Sequence, residues 1–228
     1  MNKIDKTILP IQKQFGEQLA KKAFECGAIK LSPEKPFTWA SGYKMPIYND
    51  NRRLLAFPET RKIISDAFAE LAKALNFVPD WIAGVATGGI PHGTTLADKL
   101  GLPLAYIRSE SKGHGLKNQI EGLGSNADFA QKKVLVIEDL ISTGGSSIKA
   151  ITAIRAANGN APFCFAIFSY GLEKSISAFS NLNPSCVPVS ILNYEIMLEV
   201  ALKNAFINEE QKLSLHEWRK NPFGWWKE

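Results

Sequence analysis

Hydrophobic positions along the chain follow two periods, and the switches between them mark out a fold. Phe15, Leu19 and Ala23 recur at helical spacing, with Gly27 where a helix C-cap belongs. From Ala28 to Arg53 the pattern breaks into short extended pieces separated by Ser-Pro, Lys-Pro and Ser-Gly, which predicts a small β-containing hood. Pro58 then opens a helix whose apolar face is Ile63, Ile64, Ala67, Phe68, Leu71 and Leu75. That helix feeds a strand at 81–85. Further strands at 104–107, 134–137 and 163–168 alternate with helices near 90–100 and 146–158. The order predicts an α/β fold, a mostly parallel open sheet flanked by helices, with ligands beyond the carboxyl ends of the strands. One domain is expected over residues 1–228, with the N-terminal helix and hood reaching to about 57 and the core and a helical tail following.

The densest chemistry lies at 134–147, Val-Leu-Val-Ile-Glu-Asp-Leu-Ile-Ser-Thr-Gly-Gly-Ser-Ser. Four branched apolar residues suit a strand buried on both faces. After the acids Glu138 and Asp139 and the apolar Leu140 and Ile141, the small residues Ser142, Thr143, Gly144, Gly145 and Ser146 can turn amides and hydroxyls onto one anion at a helix N-terminus. Carboxylates repel phosphate, so the acid pair needs another task. Ribose hydroxyls donate to carboxylates, and positive charge developing at an anomeric carbon is stabilised by them. The loop lacks the lysine of a P-loop and the glycine order of a dinucleotide site. The plainer alternative is a strand-to-helix turn with Asp139 exposed and Ser146 or Ser147 as N-cap.

Two other loops fit the same picture. Ala86-Thr87-Gly88-Gly89-Ile90-Pro91 follows a buried strand and precedes a helix, so it is either a second anion site or a tight turn kept by its glycines. His92 just beyond it fits packing or capping better than catalysis. Residues 108–125 are polar and glycine-rich, too poor in apolar groups to pack a core of their own.

These residues carry a resemblance. The segment 134–147 resembles the 5-phosphoribosyl 1-pyrophosphate (PRPP) motif of type I phosphoribosyltransferases. Phe37-Thr38-Trp39-Ala40-Ser41-Gly42, running on to Pro46-Ile47-Tyr48-Asn49-Asp50-Asn51-Arg52, is similar to the orotate phosphoribosyltransferase family. So is Tyr106-Ile107-Arg108-Ser109-Glu110-Ser111-Lys112-Gly113-His114-Gly115 with Asn118-Gln119-Ile120-Glu121-Gly122, in the bacterial stand-alone branch. The resemblance implies the type I phosphoribosyltransferase fold and Mg2+-dependent transfer of phosphoribose from PRPP to N1 of orotate in pyrimidine biosynthesis. It implies PRPP contacts from Arg108, Lys112, His114 and the run from Glu138 through Ser146, with Lys112, Glu138 and Asp139 catalytic. Ser41, Gly42 and Ser142 would meet orotate, with Phe37 and Trp39 as apolar walls. It also implies a homodimer in which loop 108–125 closes over the neighbour's site. Ala40, Gly88, Ser109 and Gly171 stand where many relatives carry cationic contacts. A phosphoribosyltransferase for another base, or a PRPP-sensing regulator, is the rival reading; a loop with Lys112 and His114 argues against the regulator.

Composition adjusts little. The net charge of +5 is spread along the chain without a dense basic block, so no nucleic-acid partner is expected. No run approaches the roughly 20 apolar residues of a membrane span. The first residues, Met1 to Lys6, lack the apolar core of a secretory signal, which points to the cytoplasm. Cys26, Cys164 and Cys186 are widely spaced and suggest neither a disulfide frame nor a zinc site; no protein-held metal cluster is expected. Trp218, Phe223, Trp225 and Trp226 read as a docked C-terminal tail.

Overall fold

The computed structural model describes residues 3–39, 42–109, 119–124 and 128–226. Helix α1 (Lys3–Ile11) runs through a π-helical turn at Gln12–Gly16 into α2 (Glu17–Glu25), which buries Leu19, Ala20 and Ala23. Gly27, at φ 68°, ends it in the left-handed conformation that glycine adopts without strain. The hood follows as four short strands, β1 (Ile29–Leu31), β2 (Phe37–Thr38), β3 (Lys44–Met45) and β4 (Ile47–Asn49). They pair antiparallel as β1 with β4 and β2 with β3. A 3-10 turn at Asn51–Ala56 leads into α3 (Pro58–Ala74), with Pro58 in the first turn and Ile64, Ala67, Phe68 and Leu71 buried as the periodicity predicts.

The central sheet is built from β5 (Trp81–Val85), β6 (Leu104–Ile107), β7 (Ile120–Glu121), β8 (Lys133–Ile141), β9 (Asn160–Ser169) and β10 (Val187–Asn193). Their order is β10-β9-β8-β5-β6-β7, parallel throughout except that β7 runs antiparallel to β6. Helices α4 (Gly89–Leu100), α5 (Gly145–Ala156), α6 (Glu173–Ser180), α7 (Tyr194–Lys203) and α8 (Glu209–Lys220) complete the chain. Leu135 and Ile137 of β8 join the core cluster that contains Phe68, Phe165 and Trp218, while Val134 and Val136 join the one that contains Ile151 and Ile154 of α5. The pleat explains this split, because successive side chains point to opposite faces.

One expected boundary moves. The strand predicted to end at Ile137 continues to Ile141, because Glu138, Leu140 and Ile141 stay in parallel register with Ala166, Phe168 and Ser169 of β9. Glu138 is tolerated there because its carboxyl accepts three hydrogen bonds, described below. The loop shortens accordingly, and Gly145 and Ser146 belong to the first turn of α5. Beyond the expectation of a helical tail, no individual element was placed after Gly171; β10 carries Pro188 and lies at the sheet edge, where a missing N–H is tolerated.

Candidate active site

The ends of β5 and β8 bring the two glycine turns against each other. A Cβ on Gly89 would lie 2.3 Å from the backbone oxygen of Ile137, so only glycine lets the α4 turn approach β8 this closely. A Cβ on Gly88 would lie 2.3 Å from the Asp139 carboxylate. The absence of a side chain at Gly88 is therefore what gives Asp139 its room.

The neighbouring acids have different surroundings. Glu138 is buried, 4% exposed, and accepts from Ser146 Oγ at 2.9 Å, Ser147 Oγ at 3.3 Å and the Asp139 N–H at 3.1 Å. Burial, reinforced by the adjacent Asp139 carboxyl, pushes its pKa up to about 8, and the Ser146 hydroxyl offsets only part of this. Asp139 remains half-exposed, and its backbone oxygen is fixed by Asn51 Nδ2 at 2.7 Å. The sequence reading had both acids facing ribose. In the structure Glu138 instead ties strand β8 to the start of α5, and Asp139 is the carboxylate within reach of solvent.

Ser142 and Thr143 are half-buried, Gly144 is buried, and Gly145 and Ser146 are exposed. Gly144 stands at φ 84°, which favours glycine, and no side chain caps α5. Ser146 and Ser147 spend their hydroxyls on Glu138 rather than capping, so the first amides of α5 keep the partial positive charge that suits an anion. Beside them lies a cavity of about 260 Å³ lined by Val85, Arg108, Ser109, Gly145, Ser146 and Lys149, among others. Arg108 pairs with Glu121 at 3.3 Å and reaches this cavity. Lys149 was not singled out from sequence as a site residue; its place one turn into α5 was the available signal. Lys112 and His114 lie outside the described residues, as does Ser41.

A larger cavity, about 460 Å³, opens between the hood and the end of β8, lined by Thr38, Trp39, Tyr48, Asn49, Leu140, Ser142 and Tyr170. Trp39 is held by its indole N–H, which donates to the Ile47 carbonyl at 3.0 Å, and packs 6.0 Å from the Tyr170 ring. Tyr170 is backed in turn by Trp218 of α8, whose Nε1 points at Met45 Sδ in β3 at 3.1 Å. Trp218 is thus the buried anchor of the C-terminal tail, while Phe223 packs on Tyr43 of the hood and Trp226 is exposed. Phe37 sits behind Tyr48, 6.0 Å between rings, instead of lining the cavity. Gly42 gives its N–H to the Trp39 carbonyl at 2.8 Å, closing the hood turn. Leu140 faces this cavity, and Ile141 is buried in the core on the α5 side. Tyr48 and Asn49 were quoted in a sequence motif without a role, and Tyr170 was not singled out from sequence. His92 is buried, and burial lowers its pKa to about 4, so it is neutral and packed within α4.

The arrangement is a small-residue turn at a helix N-terminus on one side of the end of β8 and an aromatic-walled cavity under the hood on the other. The profile of the phosphoribosyl transferase domain family matches residues 50–167, the stretch from the end of the hood into β9. Over 219 residues the chain is 45% identical to the orotate phosphoribosyltransferase of Listeria innocua, covering 96% of this chain and 100% of that protein. Its identity to the Bacteroides thetaiotaomicron orotate phosphoribosyltransferase is 44% over 214 residues, covering 93% and 98%. The crystal structure of orotate phosphoribosyltransferase from Aeropyrum pernix superposes with a TM-score of 0.68 at 28% identity, covering 83% of this chain and 99% of the other. The site and the full-length likeness agree, and the chain belongs to the orotate phosphoribosyltransferase family.

Proposed function

We propose that this protein transfers the 5-phosphoribosyl group of PRPP to N1 of orotate, giving orotidine 5′-monophosphate and pyrophosphate. The observation that carries the reading is the shared end of β8. Asp139 stands at the cradle, and Leu140 and Ser142, one and three residues further along, line the hood cavity. One strand end therefore sets a base beside a sugar phosphate. The N1–C1′ bond forms as the C1′–O bond to pyrophosphate breaks, the N1 proton passes to the departing pyrophosphate or to water, and the transition state carries positive charge on the sugar. Asp139 stabilises that charge, while the amides at the start of α5 hold the 5′-phosphate. Glu138 positions the cradle through Ser146 and Ser147. Positioning and electrostatics supply the rate, with no covalent nucleophile.

Magnesium fits this donor set. An ion bound mostly by substrate oxygens and water needs only one or two protein carboxylates, and half-exposed Asp139 offers one; bound there, it would neutralise charge on the departing pyrophosphate. Lys112 and His114 belong to the same proposal as contacts to that group, reaching the site of the neighbouring subunit in a homodimer. A particle mass near twice 25.1 kDa in light scattering is the expected result, and a monomer mass contradicts the shared loop.

The test of function is consumption of orotate with PRPP, followed by loss of orotate absorbance and by pyrophosphate release in equal amount. Adenine, guanine and uracil should not be consumed, and chelation of magnesium should suppress turnover. Equal or faster turnover of a purine contradicts the assignment.

A further inference from the structure

Among the described residues, only Asn49 and His92 have buried side-chain polar atoms with no hydrogen-bond partner, both amide atoms in one and both ring nitrogens in the other. His92 lines none of the cavities described above. Asn49 lines the hood cavity. Two residues along, Asn51 shows what an asparagine does here when its role is structural: its amide is spent on the Asp139 carbonyl at 2.7 Å. Asn49 has no such use. A buried amide without a protein partner costs free energy until water or a ligand meets it, and one that lines a cavity, as Asn49 does, is placed to meet a ligand.

We propose that Asn49 is a specificity-determining residue that reads the imide edge of the pyrimidine, with Oδ1 accepting from N3–H and Nδ2 donating to the C4 carbonyl. The proposal rests on the orotate reading above. N1 must face the sugar at Asp139, which leaves N3 and C4 on the edge remote from it. Trp39, Tyr48, Leu140 and Tyr170 are suited to the faces of a flat ring, not to its edge. A carboxamide sets one acceptor beside one donor, the complement of N3–H and an adjacent carbonyl. Strand β4 fixes the backbone, Asn49 being paired with Ile29, while the side chain is free of protein hydrogen bonds. To meet the base, the amide would turn about its two side-chain torsions from the cavity wall toward the interior. A neutral amide also suits an anionic base, where a carboxylate would repel it.

The experiment compares kcat/KM for orotate and for 3-methylorotate, which lacks the N3 proton, in the wild type and in Asn49→Ala. The wild type should prefer orotate by about 100-fold or more, as expected when a site built for a hydrogen bond meets an analogue that cannot make it. Asn49→Ala should lose about 10- to 100-fold on orotate and shrink the preference to roughly threefold, with the KM for PRPP changed by no more than about twofold. Asn49→Asp, of the same shape, should lose orotate at least as severely, and circular dichroism and thermal midpoints establish that both variants fold. A hundredfold preference surviving in folded Asn49→Ala overturns the proposal, as does an equal loss of PRPP affinity. Wild-type protein that consumes no orotate removes the underlying assignment instead, a result distinct from either.

Discussion

The two halves of the site, which meet at the end of β8, are held in opposite ways. On the cradle side the polar groups are tied: Glu138 takes three donors, Asn51 holds the Asp139 carbonyl, and Gly88 and Gly89 press close against the strand. On the hood side the walls are aromatic rings braced from behind, and the Asn49 amide is untied. A phosphoribosyl group has one shape and one charge pattern, so a cradle can be rigid and made largely of backbone. A base is distinguished by its edge, and the group that reads it must be left unspent until it arrives. Under the proposed function, the first half serves the chemistry and the second the choice of base.

The largest expected effect comes from breaking the cradle's exposed acid. Asp139→Asn should lower kcat about 10²-fold or more while changing the KM for PRPP much less, because the carboxylate acts mainly as charge develops on the sugar. Normal kcat with weaker PRPP binding would make Asp139 a ground-state sugar ligand. A smaller effect belongs to the hood. Trp39→Leu should raise the KM for orotate about 10-fold, the order expected for losing one aromatic wall, with kcat nearly unchanged. A fall in kcat without a change in orotate KM would place Trp39 outside the base pocket.

The smallest effect concerns Glu138 and is read in stability. Its folded pKa is raised to about 8, above the ordinary carboxyl value of 4.5, so between these values the folded protein keeps a proton that the unfolded chain has released. The contribution is therefore full below about pH 4.5 and lost as pH rises through about 8. Glu138→Gln cannot titrate. Between pH 5 and pH 9 the wild type should lose about 3 °C or more of thermal midpoint beyond what the variant loses. Parallel curves would mean that Glu138 is ionised within its serine cage.

The same contrast governs what the sequence discloses. The cradle is legible because it is contiguous: strand, acids, small residues and helix follow one another from Val134 to Ser147. The length of β8 was not, because two acids look like a strand end until the hydroxyls of Ser146 and Ser147 and the ladder to β9 are seen to retain them. The hood cavity is harder, since Trp39 and Tyr170 meet only through folding, and either alone reads as core. Glu138 was read as a ribose contact because a carboxylate's protonation and direction depend on burial, which the chain order does not encode. Pro188 hid β10 by removing a donor that an edge strand does not need.

The division of labour is tested most directly by the double variant Asp139→Asn with Trp39→Leu, measured alongside each single variant for kcat, orotate KM and PRPP KM. If cradle and hood cavity work as separate halves, the effects combine as independent factors: the double variant shows the kcat of Asp139→Asn and the orotate KM of Trp39→Leu, within about twofold. A double variant no worse than the Asp139 single, or one in which both substitutions act on the same constant, contradicts the account.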